Sequence, residues 1–233
     1  MDSLVLFREK QQIPKGHYSL GKVLEIHKFT WPFVTLFCTI LYGNYSHRMT
    51  LMNGLFSSYG ILWVLKSHTF YDRSFYHNEQ YIHTLTNSIV NYSSVSIYYL
   101  FPYVTAKNTH EISNIETYIS IILYSIGMFL HHCSDAQKFY TLEALNKFKT
   151  EDKLITTGLY SLIRHPNYSG EFLIWFSLMI VSGFTHPLSY VPVAWLFVAT
   201  VLVGMPTKEK SLKRYDNYKN WEQDTKKLIP FIY

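Results

Sequence analysis

Charge is scarce in this chain. Asp, Glu, Lys and Arg together make up 16% of its 233 residues, against roughly 25% in an average soluble protein. Cysteine is scarcer still: Cys38 and Cys133 are the only two, so neither a disulfide framework nor a zinc spacing follows, and the redox compartment stays open. Residues 1–28 hold no apolar core of the length a leader peptide needs, so no cleavable signal is expected. Basic residues do not cluster among polar readout groups, and the formal net charge is +5; nucleic acid is not an expected partner. His131-His132-Cys133 suggests a metal, but neighbours on a helix point about 100° apart and no second cluster completes a ligand set. No repeat, low-complexity tract or long linker divides the chain, which reads as one domain over 1–233.

What the chain does contain is apolar and aromatic. Phe, Trp and Tyr reach 18%, and a mean hydropathy of +0.00 averages apolar blocks with Lys-, Asn- and Tyr-rich connectors. Six blocks are candidate spans: 29–45, 51–65, 89–105, 117–133, 172–185 and 188–206. Several are shorter than the ~20 residues of an ordinary spanning helix. The basic residues supply the missing argument. With six crossings, the N-terminus, the 66–88 and 134–171 loops and the tail share one side. That side then carries all of the 21 Lys and Arg except Arg48 and Lys107. Positive-inside sorting of this kind marks short loops of membrane proteins. The expectation is an all-α polytopic membrane bundle of about six helices, five to seven, with a basic C-terminal tail on the cytosolic or matrix face. Endoplasmic reticulum and mitochondrial inner membrane both satisfy it. Pro187 and Pro206 are expected to mark the ends of the last helix.

On the basic face lies Gly158–Glu171, a run of Arg, His, Asn, Tyr and Glu directly ahead of the apolar stretch Phe172–Phe184. Polar groups at membrane depth are costly unless they hold something, which makes the run a candidate site. Three pieces occur in order. They are Ser134-Asp135-Ala136-Gln137-Lys138; the segment from Asp152 through Gly158-Leu159-Tyr160 to Arg164-His165-Pro166-Asn167-Tyr168 and Gly170-Glu171; and a tail with Glu209, Tyr215, Tyr218, Trp221, Thr225 and a terminal Leu228-Ile229-Pro230-Phe231-Ile232-Tyr233.

Together these pieces resemble the membrane superfamily of steroid 5α-reductases, sterol reductases and isoprenylcysteine carboxyl methyltransferases. They are most similar to the 5α-reductase-like, uncharacterised DUF1295-type group. The resemblance covers about residues 130–233 and fades over 1–130. It implies NADPH for a reductase and S-adenosylmethionine for a methyltransferase, both of which carry an adenosine. Glu171 and the Asp135-x-Gln137-Lys138 piece look like the reductase branch, because the methyltransferases usually have an apolar residue at the Glu171 position.

The residue chemistry suits such a ligand. Arg164, Lys138 and His165 are candidate phosphate donors, Arg through its planar fork. The Asn167 amide both donates and accepts, and Glu171 and Asp135 can accept from ribose hydroxyls or amino groups. Tyr160 and Tyr168 can lie against a ring, with Tyr218 and Trp221 of the tail capping it. Plainer readings stand beside these. Arg164 and His165 are also what interfacial anchors look like, Glu171 suits a helix N-terminus, Asp135 and Lys138 form an i,i+3 surface pair, and the tail suits anionic lipid. The reductases place a carbonyl-polarising Glu and Tyr on earlier helices, but neither Glu25, Glu79 nor any tyrosine of 1–116 aligns, so no catalytic residue is assigned.

Three functions follow as expectations: an NADPH-dependent reductase of a lipid-like enone; a methyltransferase on the same scaffold; or an accessory subunit of a large membrane complex, respiratory in one version, without a cofactor and with its pocket either retained or filled by lipid.

Overall fold

The computed structural model describes residues 16–229 except 78 and 185. The basic residues Arg8, Lys10 and Lys15 and the final Pro230-Phe231-Ile232-Tyr233 lie outside the described residues. Local chemistry sets the helix starts. Ser19 caps α1 (Leu20–Phe29) by accepting from Lys22 N. Pro32 enters α2 (Trp31–Tyr42), which ends on left-handed Gly43. Ser46 caps α3 (His47–Thr69), and Thr84 caps α5 (Leu85–Val95) beyond the short α4 (Arg73–His77). A 3-10 turn, Ser96–Tyr99, leads into α6 (Leu100–Lys107). Ser113 and Glu116 form a reciprocal capping box on α7 (Asn114–Lys147). Pro166 opens α8 (Pro166–Ser182).

Among the described residues the regular structure is helical apart from one short antiparallel ribbon, β1 (His17–Ser19) with β2 (Ile82–Thr84), in register His17 to Thr84. The helical expectation is met, the ribbon being a minor addition to it. Each of the six apolar blocks falls mainly on helix, but among the described residues only Pro187–Leu212 is long and apolar enough to cross a membrane by length and composition. The six-crossing expectation is met only that far. Polar side chains interrupt the other helices: Arg48, Asn53 and Lys66 on α3, and His131, His132 and Asp135 on α7.

Pro206 does not end the last helix. The chain runs from α9 (Val191–Phe197) through a π-helical stretch, Val198–Gly204, into α10 (Met205–Leu212). Proline lacks an N–H and crowds the carbonyl four residues back. The wider turn just before it absorbs both effects. A last helix, α11 (Tyr218–Asp224), closes the tail.

Large apolar side chains lie outside as well as inside. Phe33, Phe37 and Ile40 of α2, Ile115, Tyr118 and Phe129 of α7, and Leu202 and Val203 before α10 are all exposed, an arrangement suited to hydrocarbon rather than water. The interior is aromatic: Trp31 stacks on Phe56 at 3.9 Å and Tyr98 on Trp175 at 4.1 Å. Helices α7 and α8 pack closest, because Gly127 and Gly170 face each other. A Cβ on Gly170 would come within 2.5 Å of His131 N and 2.6 Å of Gly127 O. Arg48, one of the two basic residues that the six-span reading leaves off the basic side, is buried. Its guanidinium donates to the carbonyls of Val181 at 2.8 Å and His110 at 2.8 Å, closing the C-terminal end of α8.

Candidate functional site

The segment before α8 and the tail are stitched together. Arg164 N donates to Lys226 O at 2.8 Å and His165 N to Lys227 O at 3.0 Å. Ser169 Oγ donates to Leu228 O, and Trp221 Nε1 donates to Tyr160 O at 2.7 Å. The expected meeting of the Arg-His-Pro-Asn-Tyr run with the tail is therefore seen directly. Tyr160, Tyr218 and Trp221 form a small apolar cluster there.

Glu209 of α10 is the hub of this junction. It accepts from Arg164 Nε at 3.1 Å, lies 2.7 Å from His165 Nε2 and accepts from the Tyr218 hydroxyl. Arg164 Nη1 also donates to Glu222 O at 3.1 Å and Thr225 O at 2.6 Å. Three of the sequence candidates are thus spent largely on holding the tail. The sequence pattern included Glu209 without revealing this role, because two of its three partners lie 44 and 45 positions away.

A second group forms where α7 faces α3 and the start of α4. Asp135 pairs with Lys66, and Lys66 Nζ also lies 3.1 Å from His131 Nε2. Lys138 pairs with Asp72 at 3.1 Å, and Lys208 approaches the same carboxylate at 3.9 Å. Asp135 and Lys138 therefore do not pair with each other; each meets an opposite charge on a neighbouring element. Burial opposes ionisation of Asp72, but Lys138, Lys208 and the Ser74 hydroxyl together hold it well below the usual carboxylate range.

Deeper in, Glu171 sits in the second turn of α8 and accepts from the Tyr59 hydroxyl at 2.6 Å and from Trp175 Nε1 at 2.6 Å. His131 Nδ1 is 3.5 Å away. Helix-dipole stabilisation does not explain this acid, which is held by side chains from three helices. Tyr59, Lys66, Asp72 and Lys28 all escaped sequence reasoning.

Two cavities meet over these residues. The inner one, about 240 Å³, is walled by Trp63, Tyr98, Trp175 and Leu196, with Lys28 and Glu171 among its polar groups. The outer one, about 410 Å³, carries Lys138, Lys153, Arg164, His165, Lys208 and Arg214. Tyr71, Asp72, Asp135, Asn167, Tyr168 and Lys208 line both and form the seam between them. The seam and outer chamber thus gather eight of the ten sequence candidates, Trp221 among them; Glu171 lies in the inner chamber, and Tyr218 stands behind the outer one through Glu209.

The sequence profile of one family, described as protein of unknown function (DUF1295), matches residues 29–227. That range includes the N-terminal helices in which the sequence resemblance faded. Delta(14)-sterol reductase ERG24 of Candida albicans is 33% identical over 89 residues, 36% of this chain and 19% of that protein. A probable protein-S-isoprenylcysteine O-methyltransferase of Oryza sativa subsp. indica is 31% identical over 123 residues, 50% of this chain and 62% of that protein. Uncharacterized protein C9.08c of Schizosaccharomyces pombe is 26% identical over 136 residues, 53% of this chain and 47% of that protein. The chain spans less than two thirds of each of these relatives, and about a fifth of the sterol reductase.

Proposed function

The chain belongs to the DUF1295 family, and from that premise we propose that it is a membrane-embedded reductase that saturates a C=C bond of a lipid- or steroid-like enone with NADPH. One observation supports this above all: a basic outer chamber opens through a polar seam into an aromatic inner one. The outer chamber pools Lys138, Lys153, Arg164, Lys208 and Arg214 against Asp72 and Asp135. Among the described residues, neither Lys153 nor Arg214 pairs with a carboxylate. That donor set fits a nucleotide bearing several phosphates. It suits S-adenosylmethionine less well, because that ligand brings a cation of its own.

When bound, the nicotinamide supplies a hydride. The chain's own groups bind and orient. Lys138 and Lys208, held ready by Asp72, take phosphate oxygens together with Lys153 and Arg214. The Asn167 amide and the Tyr168 ring at the seam fix the nicotinamide end. Arg164 and His165 act through Glu209, fixing the tail that forms the chamber wall. Trp63, Tyr98 and Trp175 accept the apolar rings of a substrate drawn from the bilayer and keep water out. Endoplasmic reticulum and mitochondrial inner membrane remain the two proposed locations.

A methyltransferase is the second reading, favoured by the rice relative, which matches half of this chain. Thermal unfolding of the detergent-purified protein, titrated with NADPH and with S-adenosylmethionine, separates the two. A ligand that binds only the folded state stabilises it by RT ln(1 + [L]/Kd), so the reductase responds to NADPH by several degrees. A response to S-adenosylmethionine alone would overturn the reductase reading. A response to neither, with co-migration in a large assembly on a native gel, favours the accessory subunit.

A further inference from the structure

One buried charge has no part in the cofactor chamber. Lys28, near the end of α1, is 4% exposed and lines the inner cavity. Its ammonium lies 3.7 Å from the ring centroid of Trp31, 4.5 Å from that of Tyr59, 5.1 Å from that of Trp175 and 5.2 Å from that of Trp63. Among the described residues it makes no hydrogen bond and no ion pair. The other buried cations differ: Lys66 has Asp135, Arg48 has carbonyls, and Arg164 has Glu209. Glu171 interacts with Lys28 through space, but its oxygens already accept from Tyr59 and Trp175.

Ring faces offset part of the cost of burying an ammonium, yet they leave its N–H donors unsatisfied. Those donors border a cavity walled in large part by aromatic and aliphatic side chains, and what they lack is an oxygen. We propose that Lys28 is the substrate-side catalytic residue, donating to the carbonyl oxygen of an α,β-unsaturated carbonyl compound held in the inner cavity. This rests on the reductase reading and supplies the acid that the sequence left unassigned.

The step balances. Hydride from the nicotinamide adds at the β carbon, and the alkene electron pair shifts toward the carbonyl, loading negative charge on oxygen. Lys28 Nζ gives its proton to that oxygen, leaving an enol and a neutral amine. The α carbon then takes a proton from a water molecule at the chamber mouth, the hydroxide left behind being neutralised by a proton from bulk solvent, while the enol O–H returns its own to Lys28. The net addition is one hydride and one proton across the C=C bond. A lysine locked to a carboxylate would be a poorer donor, whereas ring faces hold the cation and leave its protons free.

The test uses the full-length protein in detergent with a conjugated trienone steroid, whose absorption band lies clear of the protein's own. A cation at the carbonyl oxygen moves that band to longer wavelength, so the wild type should show the shift on binding. Lys28→Met should bind the probe within a few fold and lose the shift, with turnover falling about 100-fold or more. Lys28→Gln keeps a donor without the charge and should give an intermediate shift; it decides the matter if the methionine variant does not fold. An unchanged shift in both variants, or binding by the wild type with no shift, would overturn the role of Lys28 and leave the reductase reading standing. Failure of the wild type to bind the trienone would overturn both the role and the enone substrate, whatever its response to NADPH.

Discussion

Tyr59 on α3 donates its hydroxyl to Glu171 on α8 at 2.6 Å, across 112 positions of sequence. The pair ties the motif-bearing half of the chain to the half where sequence resemblance faded. Glu171 lines the inner chamber and Tyr59 packs behind it, so the bond couples packing of the helices to the shape of the site.

Tyr59→Phe should destabilise the protein by about 1–2 kcal/mol, because Glu171 keeps Trp175 but loses its shortest partner from α3. Glu171→Gln should cost about 1–3 kcal/mol. The double variant should lose less than the sum, with a coupling of about 0.5–3 kcal/mol, read by denaturant titration in detergent. Strict additivity would mean that the bond does not form.

Removing Arg164 should release the tail before it affects anything else. Arg164→Ala leaves the Glu209 carboxylate buried with one cation fewer and frees the carbonyls of Glu222 and Thr225, a loss of about 3–5 kcal/mol. Trypsin should then cut at Lys213, Arg214 and Lys219 far faster than in the wild type. Arg164→Lys should not rescue, because a point charge cannot span the same three acceptors. Unchanged proteolysis would show that the tail is held by other contacts.

Gly170→Ala should separate α7 from α8. The added methyl would meet the backbone of His131 and Gly127 at 2.5–2.6 Å, and backbone cannot step aside as a flexible side chain can. A loss of about 1–3 kcal/mol or more is expected, visible as a lower unfolding temperature and weaker NADPH stabilisation. Close glycine contacts of this kind are how apolar helices pack in a membrane.

Lys28 should give the unfolding free energy a distinctive pH slope. Burial lowers its pKa from 10.5 to about 7; Glu171 of α8 opposes that drop and Lys66 of α3 adds to it. Tyr59 of α3 and Tyr98 ahead of α6 also face it. Between about pH 7 and 10.5 the unfolded chain keeps the proton that the folded chain has released, so stability rises with pH across that window. Lys28→Met should be more stable than the wild type below this window and should lose the slope. Parallel profiles for the two proteins would place the titration elsewhere.

The order of the apolar blocks made a helical chain legible from sequence alone. So did the Arg164-His165-Pro166-Asn167-Tyr168 run and its meeting with the tail. These are local or additive properties: helix starts depend on Ser19, Ser46, Ser113 and Pro166, and span hydropathy is a sum over neighbours. Tertiary structure alone decided which partner each charge takes. Asp135 and Lys138 are three residues apart, yet one turns to Lys66 and the other to Asp72. Arg164, read as a phosphate fork, is drawn to Glu209, and Lys28 is left alone among rings. Buried charges select partners by distance and desolvation in three dimensions, and the sequence interval between them carries no record of that choice.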